Sequence, residues 1–100
     1  MALERIGGTL RRVLEEAGLA AALRGWTAIE LWPEVVGEAA ARRSRAVRFE
    51  SGRLVVEVDG PAWTSQLNYL KRTIVARLNA RLGDEVIREI QFTPSGGGRG

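Results

Sequence analysis

Five apolar residues, Trp63, Leu67, Leu70, Ile74 and Leu78, recur at steps of three and four between Pro61 and Gly83. That spacing lays one continuous stripe along a helix. Pro61 suits the first helical turn, where its missing N–H would have no partner anyway, and Leu82-Gly83-Asp84 supplies the stop. Just before this helix, Leu54, Val56 and Val58 alternate with Val55, Glu57 and Asp59; just after it runs Val86-Ile87-Arg88-Glu89-Ile90-Gln91-Phe92. A long helix between two strands brings the second strand back parallel to the first and roofs one face of their sheet. The pattern therefore specifies a packed α+β layer and says little about chemistry.

The upstream half completes the layer. Val47 and Phe49 alternate with Arg48 and Glu50, and Ser51-Gly52 makes a turn into Leu54, so the first two strands form an antiparallel hairpin. Before it, Leu3, Ile6, Leu10, Val13 and Leu14 recur at the helical period, which predicts a helix from Leu3 to Glu16 ended by Ala17-Gly18. An alanine-rich turn from Leu19 to Leu23 follows, ahead of Gly25. A second helix begins near Trp26-Thr27 and reaches about Arg43. Proline disrupts a helix interior, so Pro33 predicts a break around Glu30 to Trp32 and a fresh start at Pro33. The order is α-α-β-β-α-β, a three-stranded sheet with helices packed on one face. Pairing of the third strand with the first or the second stays open. Either choice leaves two exposed edges, through one of which the chain could form a homodimer.

One hundred residues fit one domain. We read residues 1–93 as that domain and 94–100 as a disordered tail, because Gly96-Gly97-Gly98-Arg99-Gly100 cannot bury enough surface to offset the cost of ordering it. With neither cysteine nor histidine, disulfides, thiolate metal sites and the commonest general base are excluded. No nucleophile stands beside a base and no glycine loop could cradle a phosphate; Asp84-Glu85 is the nearest approach to paired carboxylates. The expectation is a chain that is not an enzyme and needs no cofactor or metal. The N-terminus lacks the charged start and apolar run of a signal peptide, and no window is long enough to span a membrane, so the chain is expected in the cytoplasm.

All fifteen basic residues except Lys71 are arginine, a side chain whose planar fork suits carboxylate and phosphate. The net charge of +3 does not by itself predict nucleic-acid binding. Arg42, Arg43, Arg45 and Arg48 form the densest positive cluster without an intervening acid, and they are the leading candidate for partner binding. The plainer reading is a solvated helix end, where arginines also favour the helix dipole. Lys71 and Arg72 are secondary candidates for nucleic-acid contact. Trp63 is by default a core residue; left half-exposed at a helix start, it would be an anchor for another protein. The Gly-x-x-Gly clamp of RNA-binding KH domains occurs only as Gly97-Gly98-Arg99-Gly100, inside the tail, and Phe49 alone is too little for a base-stacking platform.

Several segments in order, Leu31-Trp32-Pro33-Glu34-Val35-Val36-Gly37, Ser51 to Val58, Trp63 with Leu67, Leu78-Asn79-Ala80-Arg81-Leu82-Gly83 and Ile87 to Phe92, resemble the DUF721 family, which includes the DciA proteins. The resemblance covers roughly Leu3 to Phe92. It implies a small KH-like domain and a non-enzymatic adaptor that recruits or helps load the bacterial replicative DNA helicase during DNA replication initiation. It implies the helicase as partner. The alternative is a sequence-nonspecific nucleic-acid-binding module acting through arginine–phosphate contacts. Where the family often has a histidine and a proline before the first strand, this chain has Arg43 and Ala46, so a histidine-dependent role there is excluded.

Overall fold

The computed structural model describes residues 2–95. Its elements are α1 (Ala2–Val36), α2 (Glu38–Ala41), β1 (Ser44–Glu50), β2 (Arg53–Val58), α3 (Pro61–Tyr69), α4 (Lys71–Leu82) and β3 (Glu89–Pro94). The sheet order is β1-β2-β3, with β1 antiparallel and β3 parallel to the central β2. The α+β class, the hairpin and the parallel return are as the sequence predicts, and the third strand pairs with the second.

The N-terminal helices differ from expectation. Residues 2–36 form one helix that runs through Ala17-Gly18, Gly25 and Pro33 without a break. Pro33 stands in the last turn, so its missing N–H forfeits a single intrahelical bond. Tertiary packing outweighs that loss: Ala28, Trp32 and Val35 on the same face are buried in the core. Trp32 Nε1 donates to Ser44 Oγ at 2.9 Å, and that hydroxyl donates to the Ala40 carbonyl at 2.7 Å, tying α1 and α2 to the start of β1. The helix ends four residues later at Gly37, whose φ of 94° belongs to glycine. Gly25 is a packing notch rather than a stop. A β-carbon built there would lie 2.7 Å from Phe49 Cγ, which is how closely α1 crosses β1.

The stretch from Pro61 to Gly83 is likewise corrected, from one rod to two helices that meet at Leu70. Leu70 has φ −94° and ψ 7°, and its N–H is shared between the Gln66 carbonyl at 3.2 Å and the Leu67 carbonyl at 3.1 Å. No proline or glycine stands near the joint. The bend instead follows the packing: α3 lies against β2, whereas α4 lies against α1 and β3, and a straight rod would not serve both. Leu67, Ile74 and Leu78 remain buried, but Leu70 emerges at 38% exposure.

Register sets the two faces of the sheet. Ser44↔Val58, Ala46↔Val56 and Phe49↔Leu54 pair across β1 and β2, with a bulge at Val47 between Ala46 and Arg48. The bulge displaces the expected Val47/Phe49 alternation, and Ser44, Ala46 and Phe49 share the helix-covered face. Phe49 is thus half-buried against α1 and does not stand on an open surface. The opposite face carries Arg45, Arg48, Glu50, Arg53 and Glu57 around one apolar residue, Val55, which is 2% exposed.

β3 starts three residues later than the pattern predicts. The N–H groups of Val86 and Ile87 donate to Asn79 Oδ1 at 3.0 and 2.8 Å, and Asn79 Nδ2 donates to the Ile87 carbonyl at 2.9 Å. The amide fixes these two residues as an extended loop, with Ile87 buried, before pairing with β2 begins. Strand pairing continues to Pro94, and the Ser95 N–H donates to the Val58 carbonyl at 3.0 Å. Residues 96–100 of the expected tail lie outside the described residues.

Candidate partner-binding surfaces

The chain reversal from α2 into β1 brings three of the four clustered arginines together. Arg42, Arg43 and Arg45 rim a groove of 670 Å³ along the free edge of β1, floored by Ile29, Trp32 and Ala46. Arg48, beyond the bulge, does not line it. The sequence shows this cluster as uninterrupted positive charge; the fold supplies each arginine with an acid. Arg42 bonds Glu38 at 2.7 Å, Arg43 bonds Asp59 at 2.7 Å, Arg45 meets Glu57 at 3.4 Å and Arg48 meets Glu50 at 3.2 Å. Glu38 and Glu50 are near neighbours in sequence, but Glu57 and Asp59 arrive from β2 and the loop after it, which a reading of local charge density does not see. All four arginines are more than half exposed, so each pair is worth about 0–1 kcal/mol and can be exchanged for a ligand's carboxylate or phosphate.

Trp63 lies elsewhere. One turn into α3 it is half-buried, and with Val36, Leu70 and Ile74 it lines a separate apolar groove of 300 Å³ between the end of α1 and the α3–α4 joint. The joint opens this groove, since it is where Leu70 leaves the core. Tyr69, beside it, is 88% exposed. The sequence stripe pointed to the helix but not to its bend, because no residue in it breaks a helix.

Lys71 and Arg72 open α4 and share a third groove with Asn79 and Arg88. Within the described residues, Lys71, Arg72 and Arg88 make no ion pair. Lys71 Nζ sits 5.6 Å from the centre of the Phe92 ring, a cation–π contact. Arg88 was not singled out from sequence; it reads as one charge in a strand, and only the loop held by Asn79 places it opposite α4. Unlike the Arg42–Arg48 cluster, these three cations have no ion-pair partner among the described residues, although Glu85 and Glu89 line the same groove.

Among the described residues no group of three or more carboxylates, histidines or cysteines converges where it could hold a metal ion. No helix among them is long and apolar enough to cross a membrane. The grooves combine apolar lining with polar and charged residues of both signs, an arrangement that suits contact with a macromolecular surface.

Comparison with known proteins places this architecture. The model of the family described as "Dna[CI] antecedent, DciA" matches residues 5–92. A UPF0232 protein of Streptomyces avermitilis is 32% identical over 94 residues, covering 92% of this chain and 52% of the relative. One from Streptomyces coelicolor is 33% identical over 93 residues, covering 91% and 49%, and one from Rhodococcus jostii is 31% identical over 77 residues, covering 70% and 41%. The chain thus spans about half the length of the curated relatives it matches.

Proposed function

The chain belongs to the DciA family, and on that premise we propose that it is a cytoplasmic, non-enzymatic adaptor that recruits or helps load the replicative DNA helicase when bacterial DNA replication begins. The observation that carries this reading is the family match, which extends over the folded unit from α1 to β3. Recruitment asks for docking surfaces rather than reacting groups. The β1-edge groove with its exchangeable arginine pairs and the apolar groove around Trp63 are the two surfaces offered. The sequence pattern bases this reading on an unbroken Pro61–Gly83 rod, and the joint at Leu70 removes that basis, so the family match alone carries the proposal. α3 and α4 keep Leu67, Ile74 and Leu78 in the core, with Trp63 half-buried against it and Leu70 exposed.

The test is co-elution with the cognate helicase at micromolar concentration and low salt. Trp63→Ala should weaken the complex by about 2 kcal/mol if Trp63 anchors it, with circular dichroism to establish that the variant is folded. Clean separation of the unmodified chain from the helicase would refute recruitment.

A second reading, sequence-nonspecific nucleic-acid binding through cation–phosphate contacts, is favoured by the unpaired Lys71, Arg72 and Arg88. DNA affinity measured against salt separates the surfaces. Lys71→Ala/Arg72→Ala should make the salt slope shallower by roughly 1–2, more than Arg43→Ala/Arg45→Ala does, because the latter pair is already neutralised. An unchanged slope in the first variant would remove α4 from the explanation.

A further inference from the structure

Of the five large apolar side chains exposed on the described surface, three lie on α1: Leu19 at 61%, Leu23 at 57% and Trp26 at 62% exposure. Steps of four and three put them on one stripe, and at 3.6 residues per turn that stripe faces roughly opposite Ala28 and Trp32, the side that covers the sheet. No other element among the described residues covers it. Exposed charges continue the same line, Arg12 and Glu16 towards the N-terminus and Glu30 towards the C-terminus.

We propose that two copies of this chain pair antiparallel through the outer face of α1, with Leu19 of each packed on Leu23 of the other. The charges select both partner and direction. A parallel pair would set Arg12 against Arg12, Glu16 against Glu16 and Glu30 against Glu30. The antiparallel register that matches residue 19 with residue 23 instead matches residue 12 with residue 30, so an Arg12–Glu30 pair forms twice about a two-fold axis, and Trp26 covers the stem of Glu16. Such an interface is self-complementary, as a closed dimer requires. The sheet edges are the poorer routes: β1 carries the bulge at Val47 and the charges Arg45 and Arg48, and the short β3 carries Glu89 and ends in Pro94, devices that discourage strand addition. A stripe of this length buries no more than the low end of specific interfaces, about 1,200 Å², so against the cost of association the dimer is expected to be weak. The inference is independent of the helicase reading, and neither outcome below bears on recruitment.

Sedimentation velocity and light scattering on the whole chain, from about 1 to 500 μM, should show a monomer–dimer equilibrium, a weak association by the usual affinity scale. Leu23→Glu, at an exposed site, should abolish the dimer while leaving the circular dichroism spectrum unchanged. Arg12→Glu and Glu30→Arg should each weaken it about tenfold or more, and the double swap should restore it. Because the chain has no cysteine, Leu19→Cys mixed with Leu23→Cys should give a disulfide-linked heterodimer, with little self-linking of either alone. A chain that stays monomeric throughout, a dimer that survives Leu23→Glu, or a double swap that fails to restore pairing would overturn the proposal.

Discussion

Two glycines of the same helix should respond to alanine with opposite sign. At Gly18 a β-carbon would meet nothing within 4 Å, whereas at Gly25 it would lie 2.7 Å from Phe49 Cγ and 3.0 Å from Phe49 Cβ. Both substitutions gain the same helix propensity, about 1 kcal/mol, so the difference between them isolates the steric cost at the α1–β1 crossing. Turning the half-buried Phe49 ring outward moves Cγ but leaves its Cβ in place, so part of the overlap persists. Overpacking of this kind costs about 1–3 kcal/mol. Gly18→Ala should therefore stabilise by up to about 1 kcal/mol, and Gly25→Ala should be neutral to destabilising by about 2 kcal/mol. For a domain of this size each kcal/mol moves Tm by about 4–8 °C, well within thermal-melt resolution. In a Phe49→Ala background the ring is gone and only the Cβ contact at 3.0 Å remains, so Gly25→Ala should be less destabilising there than in the unmodified chain. Equal, positive shifts for the two single variants would refute the notch.

Ser44→Ala removes the acceptor of the buried Trp32 indole N–H and should cost about 1–3 kcal/mol in urea unfolding; an unchanged midpoint would show that this bond does not hold α1 through Pro33. Asn79→Ala strips three hydrogen bonds from the loop before β3 and should cost about 2–3 kcal/mol, with faster hydrogen exchange at the Val86 and Ile87 amides than elsewhere in the sheet. Arg43→Ala, by contrast, breaks an exposed pair and should change stability by less than about 1 kcal/mol; a larger loss would mean the arginine is structural and unsuited to exchange with a ligand.

The sequence by itself determined the layer. Alternation in 54–58, the turn at Ser51-Gly52 and the helical stripe from Pro61 are local signals, each produced by the face a residue must bury, and together they specify an antiparallel hairpin followed by a parallel return. Only the tertiary structure decided where helices end. Pro33 and Gly25 are breakers by local preference, yet the Trp32–Ser44 bond and the close crossing at Phe49 keep α1 whole, while Leu70, with no breaker beside it, becomes a joint because α3 and α4 answer to different neighbours. The candidate sites divide in the same way. Trp63 and the arginine cluster were legible as residue types, but the acids that neutralise Arg42, Arg43, Arg45 and Arg48 come partly from other elements. Arg88 faces Lys71 and Arg72 only because Asn79 holds the loop between them. Charge at a point on a folded surface is a sum over neighbours in space, and a sequence shows only the neighbours along the chain.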